Sequence, residues 1–275
     1  MLLPGYDFTR DLAGAASEME DLSPSQQAVI NPTTIPLLHV NDITTLNAST
    51  QAVLPPETRA ALVGDPLPAA FGHGTMVAGA VRLVAPGAKI LPLKAFNSNG
   101  TGTLFNIVRA IYYAQEKGAR VINLSLSSGT KSRELEKAIR FVSNRGVTCV
   151  ASAGNDGLRT DDVYPAAISG VIGVASVNSI DARSLFSNYG QKIVKISAPG
   201  EEMLLPYPGG RWAGGWGTSF AAPMVSGTAA MLLSANPNTT VKDIQKAFTH
   251  AAPLEGEMGA GRLNVYQSLM GAWWD

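Results

Sequence analysis

An α/β fold, three layers built around a mainly parallel central sheet, is predicted for this chain by two observations. Short, β-branched and nearly continuous apolar runs recur from residue 88 onward, and between them lie stretches whose apolar residues are three and four apart. A strand that is apolar throughout has both faces covered, as in a parallel sheet under helices. Strand alternating with helix then gives the sandwich.

The expected strands are "AKILPLKAF" (88–96), "ARVINLSL" (119–126), "GVTCVAS" (146–152), "GVIGVASV" (170–177) and "KIVKISAPG" (192–200). Leu104, Ile107, Val108 and Ile111 form one helical face, stopped by Gly118, and Leu135, Ala138, Ile139 and Val142 form another, stopped by Gly146. Two further helices are expected in "SFAAPMVSGTAAMLLSA" and in "TTVKDIQKAF", the second capped by Thr240 and Asp243. Residues 9–70 carry no such period. They are rich in Pro, Thr, Ser and Ala, with the single short apolar run "IPLLHV", and read as a long surface excursion holding at most one strand or short helix. The expected organisation is therefore one domain, with residues 70–275 as its core and 1–69 as an atypical N-terminal segment.

Composition narrows the partners. With 275 residues and 45% apolar content the chain can bury a large core. Its 21 basic residues balance 21 acidic ones without a basic cluster, which argues against nucleic acid or an anionic membrane as partner. "FAAPMVSGTAAMLLSA" is too short and too interrupted by proline and small polar residues to be expected as a membrane span, and "MLLPGYDFTRD" has no signal-peptide pattern. The single cysteine, Cys149, is expected as a packed core thiol.

Three stretches press small residues around one polar side chain at a strand end or helix start: "GHGTMVAG" with His73, "ASAGNDG" with Asn155 and "WGTSFAAPMVSG" with Ser219. Glycine and alanine permit close approach of another backbone. Ser219 opens a helix, where its own N–H has no intrahelical partner, and Pro223 is read as a residue of that first turn, where no donor is needed. A hydroxyl becomes a nucleophile when a base takes its proton, and neutral imidazole suits that task near neutral pH. His73 is the candidate base. The carboxamide of Asn155 and the N–H of Ser219 are candidate donors to a developing oxyanion. Singly, these residues read as a structural histidine, a turn residue and a helix cap; together and in this order they point to acyl transfer.

These segments, with "VINLSLSS", "YPAA", "FSNYG" and "ISAPG", resemble the subtilisin-like serine proteases, the subtilases, over about residues 70–270. The resemblance implies a subtilisin-like three-layer fold and endopeptidase activity on polypeptide substrates. It further implies His73 as general acid and base, Ser219 as nucleophile and Asn155 as oxyanion donor. It implies two extended edges that hold the substrate as an added strand, matched by Gly100, Thr101 and Gly102 and by Ser125, Leu126 and Ser127, with Gly154 beside them. The family generally has glycines where Ser127 and Ser128 stand, a departure that bears on the width of the cleft. No cofactor is required by this chemistry. Structural calcium is common in the family, but no carboxylate constellation here matches a site, so the metal content stays unknown. Export is implied by resemblance alone.

The third partner is missing from its usual place. Subtilases carry an aspartate upstream of the histidine, followed by Ser or Thr and then Gly, and no such triplet occurs among Asp7, Asp11, Asp21, Asp42 and Asp65. Asp42, at the end of "IPLLHVND", is the best local stand-in. "LLPGYDF" instead resembles the segment that follows the aspartate strand, so the chain is expected to start downstream of that strand, to carry an unpaired sheet edge and to be weakly folded and nearly inactive alone. The alternative function is a catalytically inactive, subtilase-like peptide-binding or scaffold protein. The order histidine before serine excludes α/β-hydrolases, and the helices exclude chymotrypsin-like barrels.

Overall fold

The computed structural model describes residues 1–14, 17–29, 68 and 70–274. Strands β1 (Gly5–Asp7) and β2 (Leu12–Gly14) pair antiparallel, and β1 also runs parallel to β3 (Leu93–Lys94), placing Tyr6 opposite Leu93. A 3-10 turn (Glu18–Asp21) and a short helix α1 (Pro24–Val29) follow β2, and α2 (His73–Val84) precedes β3. Residues 9–14 and 17–29 are thus more structured than their lack of period predicts. The run "IPLLHV", Asp42 and Asp65 lie outside the described residues.

The principal sheet has the order β4 (Val121–Leu124), β5 (Thr148–Ser152), β6 (Ile172–Val177), β7 (Ile196–Pro199), parallel throughout. Its faces follow the period of two. Cys149 and Ala151 of β5 pack with Ile111 and Ala114 of α3 (Leu104–Glu116) and with Leu135, Ala138, Ile139 and Val142 of α4 (Arg133–Ser143). Val150, Ile172, Val174 and Ile196 pack on the other side with Ala221, Ala222, Val225, Ala229 and Leu232 of α5 (Thr218–Ala235). Both faces being covered is why these strands are apolar without interruption. Cys149 is fully buried, and that burial pushes its thiol up to about 12, as suits a core residue.

Three expectations need correction. The strand expected over 88–96 is broken: a regular ladder with β1 covers Leu93–Lys94, and Ile90 makes a separate parallel bridge to Leu2 on the far side of Pro92, which lacks a donor. An unforeseen hairpin, β8 (Met203–Tyr207) and β9 (Arg211–Gly215), packs Leu205, Tyr207 and Ala213 against Phe71, Met76 and Ala80 on and beside α2. The segment around Pro223, expected as a helix too short and interrupted for a membrane span, forms an 18-residue helix, α5, that has the length and apolarity of a short span, and 67% of it is buried inside the protein. Helices α6 (Val241–Ala247) and α7 (Val265–Trp274) complete that layer, and α6 shows the expected reciprocal cap, with Thr240 N–H donating to Asp243 Oδ2 at 2.8 Å and Asp243 N–H to Thr240 Oγ1 at 3.3 Å.

Among the described residues, β3 pairs as a strand only with β1, and β4 only with β5. Among these residues the two sheets share no ladder.

Candidate active site

Helix α2 begins at His73. Its N-terminal flank is Gly72, at φ +84°, where a side chain would overlap the ring of Tyr207. Glycine is therefore required there on two counts, backbone angle and space. The His73 imidazole is half-buried and its ring centroid lies 5.7 Å from that of Phe220, the third residue of α5. Burial pushes its pKa down to about 4, and among the described residues no carboxylate opposes that shift.

The N-terminus of α5 carries Ser219 as its second residue, 7% exposed, in the turn whose N–H groups find no intrahelical acceptor. Pro223 is the sixth residue of α5, beyond the first turn, which corrects its placement from sequence. In a regular helix the N–H of residue 223 would donate to the carbonyl of Ser219. Proline has no N–H, and the Ser125 hydroxyl donates to that carbonyl instead, at 2.7 Å. Asn123 extends the link: its Nδ2 donates to Ser125 Oγ at 2.9 Å, and its Oδ1 accepts from Ser226 Oγ at 2.9 Å. Strand β4 and helix α5 are thereby locked together around Ser219.

Asn155 follows β5 at the same end of the molecule. Its Oδ1 accepts both the N–H of Thr218, at 2.9 Å, and the Thr218 hydroxyl, at 2.8 Å. Two donors on one atom identify that atom as the oxygen and leave Nδ2 as the outward group. The place a Cβ on Gly217 would take lies 3.3 Å from Nδ2, so the amide lies along the open end of α5. His73 and Asn155 therefore converge on the turn that bears Ser219. That turn carries the Ser219 hydroxyl and the N–H donors of the helix end, the His73 ring lies against its neighbour Phe220 and the Asn155 carboxamide is bound to its neighbour Thr218, groups of the kinds that acyl transfer uses.

The remaining predicted residues are placed as follows. Gly100, Thr101 and Gly102 are exposed in a turn closed by Asn97, whose N–H donates to Thr101 O at 2.9 Å and whose Oδ1 accepts the Thr101 N–H at 2.9 Å. Leu126 O accepts from Ser152 Oγ at 3.3 Å, and Ser127 is exposed beyond the end of β4. Gly154 is buried with both backbone groups engaged, its N–H donating to Thr218 Oγ1 at 3.2 Å and its carbonyl accepting the Asn188 N–H at 3.0 Å. Asp7 is 1% exposed and is bound by Thr9 and Arg10; Asp11 holds Arg109 and Tyr6; Asp21 holds Lys94 at 3.0 Å and the Ser98 N–H at 2.9 Å. With Arg10 and Lys94 already neutralising Asp7 and Asp21, this cluster does not fit a divalent cation.

Four residues escape sequence reading. Thr218 and Ser226 lie inside a motif dominated by its serine, and Asn123 is a polar residue in an apolar strand, a signal that it needs a buried partner. Glu18, whose carboxylate accepts the N–H groups of Gly72 and Thr75, gives no local signal at all.

Comparison with known proteins bears on the family of the chain. Residues 46–267 match the Subtilase family. The thermophilic serine proteinase of Bacillus sp. (strain AK1) is 38% identical over 211 residues, covering 72% of this chain and 52% of that protein. Thermitase of Thermoactinomyces vulgaris is 35% identical over 212 residues, covering 72% and 75%. The self-cleaved protease domain of PatA superposes with a TM-score of 0.67 at 31% identity, covering 74% of this chain and 84% of that one. The chain spans about half the length of the first of these relatives. By profile, by identity and by its three-layer sandwich, the chain belongs to the subtilase family.

Proposed function

We propose that the chain is a serine endopeptidase acting on polypeptides. The observation that carries this reading is the convergence of the His73 ring, through Phe220, and of the Asn155 amide, through Thr218, on the helix turn that bears Ser219. In the proposed reaction Ser219 Oγ attacks the peptide carbonyl carbon while its proton passes to the His73 imidazole. The oxyanion is met by Asn155 Nδ2 and the Ser219 N–H. Collapse of the intermediate breaks the C–N bond, the amine leaves with the proton from His73, and water then hydrolyses the acyl ester by the same path. Gly100–Gly102 and Ser125–Ser127 are the proposed edges for an extended substrate, with Gly154 contributing space beside Asn155. The unit proposed to do this is residues 70–275, with 1–69 as an atypical segment of the same domain. No cofactor enters these steps, and export is the location that the relationship implies.

His73 is neutral at pH 7 in its surroundings, but a pKa near 4 makes it a weak proton acceptor. Loss of the orienting aspartate lowers turnover by roughly 10⁴ in proteases of this type, a magnitude established on the serine protease triad. The expected outcome is slow labelling by a fluorophosphonate at Ser219, abolished in Ser219→Ala, with casein cleavage far below that of a complete triad. Cleavage at an ordinary protease rate that persists in Ser219→Ala would refute the assignment. A second reading is a catalytically inactive, peptide-binding module, and under it the folded protein stays unlabelled.

A further inference from the structure

Helix α2 starts on a residue that cannot cap it. Gly72 has no side chain, and Tyr207 fills the space that one would need. The cap comes from a segment more than fifty positions away. Glu18 accepts the Gly72 N–H through Oε2, while its Oε1 accepts the Thr75 N–H at 3.2 Å and the Thr75 hydroxyl at 3.2 Å. These donors stand on either side of His73 in the chain. A Cβ on Gly74 would lie 3.2 Å from the same Oε1, so the carboxylate lies flat against the turn from which the imidazole projects.

The turn that carries Glu18 is itself anchored. Ser17 Oγ accepts the Met19 N–H at 3.3 Å, Glu20 accepts from Arg10 at 2.6 Å, and Asp21 binds both Lys94 and the Ser98 N–H. Leu22 and Met19 pack with Phe71 and Met76. A carboxylate on so fixed a support can impose a position on the helix end. Without it, two N–H groups flanking His73 lose their acceptor and the first turn is free to fray.

We propose that Glu18 is a positioning residue for His73, holding the first turn of α2 so that the imidazole stays against α5. The proposal rests on the reading of His73 as the base for Ser219. Its consequence is a loss in the chemical step without a loss in binding, because Glu18 acts on alignment alone.

The test uses the full chain as wild type, Glu18→Gln and Glu18→Ala. Glutamine keeps one acceptor oxygen and alanine none, so a graded response is expected. Inactivation by a fluorophosphonate is followed as a maximal rate and a half-saturating concentration. Glu18→Ala should lower the maximal rate roughly tenfold, leave half-saturation within about twofold, and be partly rescued in Glu18→Gln. Independently, the His73 ring resonance, one of only three histidine signals and assigned by its loss in His73→Ala, should shift in both variants while that of His250 does not. An unchanged maximal rate and an unmoved His73 resonance in folded Glu18→Gln, with only the melting temperature reduced, would overturn the proposal and leave Glu18 a purely structural cap. If Glu18→Ala fails to fold, Glu18→Gln decides. If wild type is never labelled, the protease reading fails, and the resonance alone decides for Glu18.

Discussion

Pro223 removes one N–H from the body of α5, and the carbonyl thus stranded belongs to Ser219. Ser125 supplies the missing donor at 2.7 Å. Ser125→Ala leaves a partly buried acceptor unpaired, and urea unfolding should show a loss of about 1–3 kcal/mol. Slower Ser219 labelling is expected alongside it, since the same bond ties the nucleophile's turn to β4. At this scale the sequence is informative where chemistry compresses the neighbourhood: His73, Asn155 and Ser219 stand out because glycine and alanine crowd around them. Ser125 is visible as a strand end and, by resemblance, as part of a substrate edge, but its role as donor to a stranded carbonyl depends on a proline 98 positions later. Glu18 is invisible for the same reason, since the N–H groups it accepts lie 54 and 57 residues away.

Elements were legible in proportion to how completely they are buried. β5 and β6, buried along their whole length, were readable as continuous β-branched runs, and α4 was readable from a face of Leu135, Ala138, Ile139 and Val142 that is buried as predicted. β3 is shorter than its apolar run because pairing with the N-terminal residues is interrupted between Ile90 and Leu93. The hairpin β8–β9 was hidden by Pro206 within one arm and by glycines at its turn, residues that argue against strands. Helix α5 has apolar and small residues on all sides, so periodicity gave little help; what defines it is burial between the sheet and α2.

For the whole molecule, acid is the expected weakness. His73 titrates near 4 when folded and near 6.5 when unfolded, so between those values the unfolded chain binds the additional proton, and stability falls as pH drops from 6.5 towards 4. Asp7 acts in the same direction at lower pH: burial would raise its carboxyl, but hydrogen bonds from Thr9 and Arg10 outweigh burial and hold it below its ordinary 3.8, so its contribution is lost as pH falls through that depressed value. Glu18 has the opposite sign. Burial raises it above 4.5, so its carboxylate weighs against the fold as pH rises through the raised value. Melting temperature measured against pH should therefore decline below about 6.5, and the decline between 6.5 and 4 should flatten in His73→Leu.

Because β3 and β4 share no ladder among the described residues, deuterium should enter the backbone along two separate fronts. Amides of β5 and β6, paired on both sides, open only with the entire fold, whereas those on the outer edge of β4 and throughout β1–β3 exchange through smaller, cheaper openings. Protection factors measured by mass spectrometry or NMR should step down sharply from β5 to β3, and a uniform value across them would mean that the two sheets melt as one.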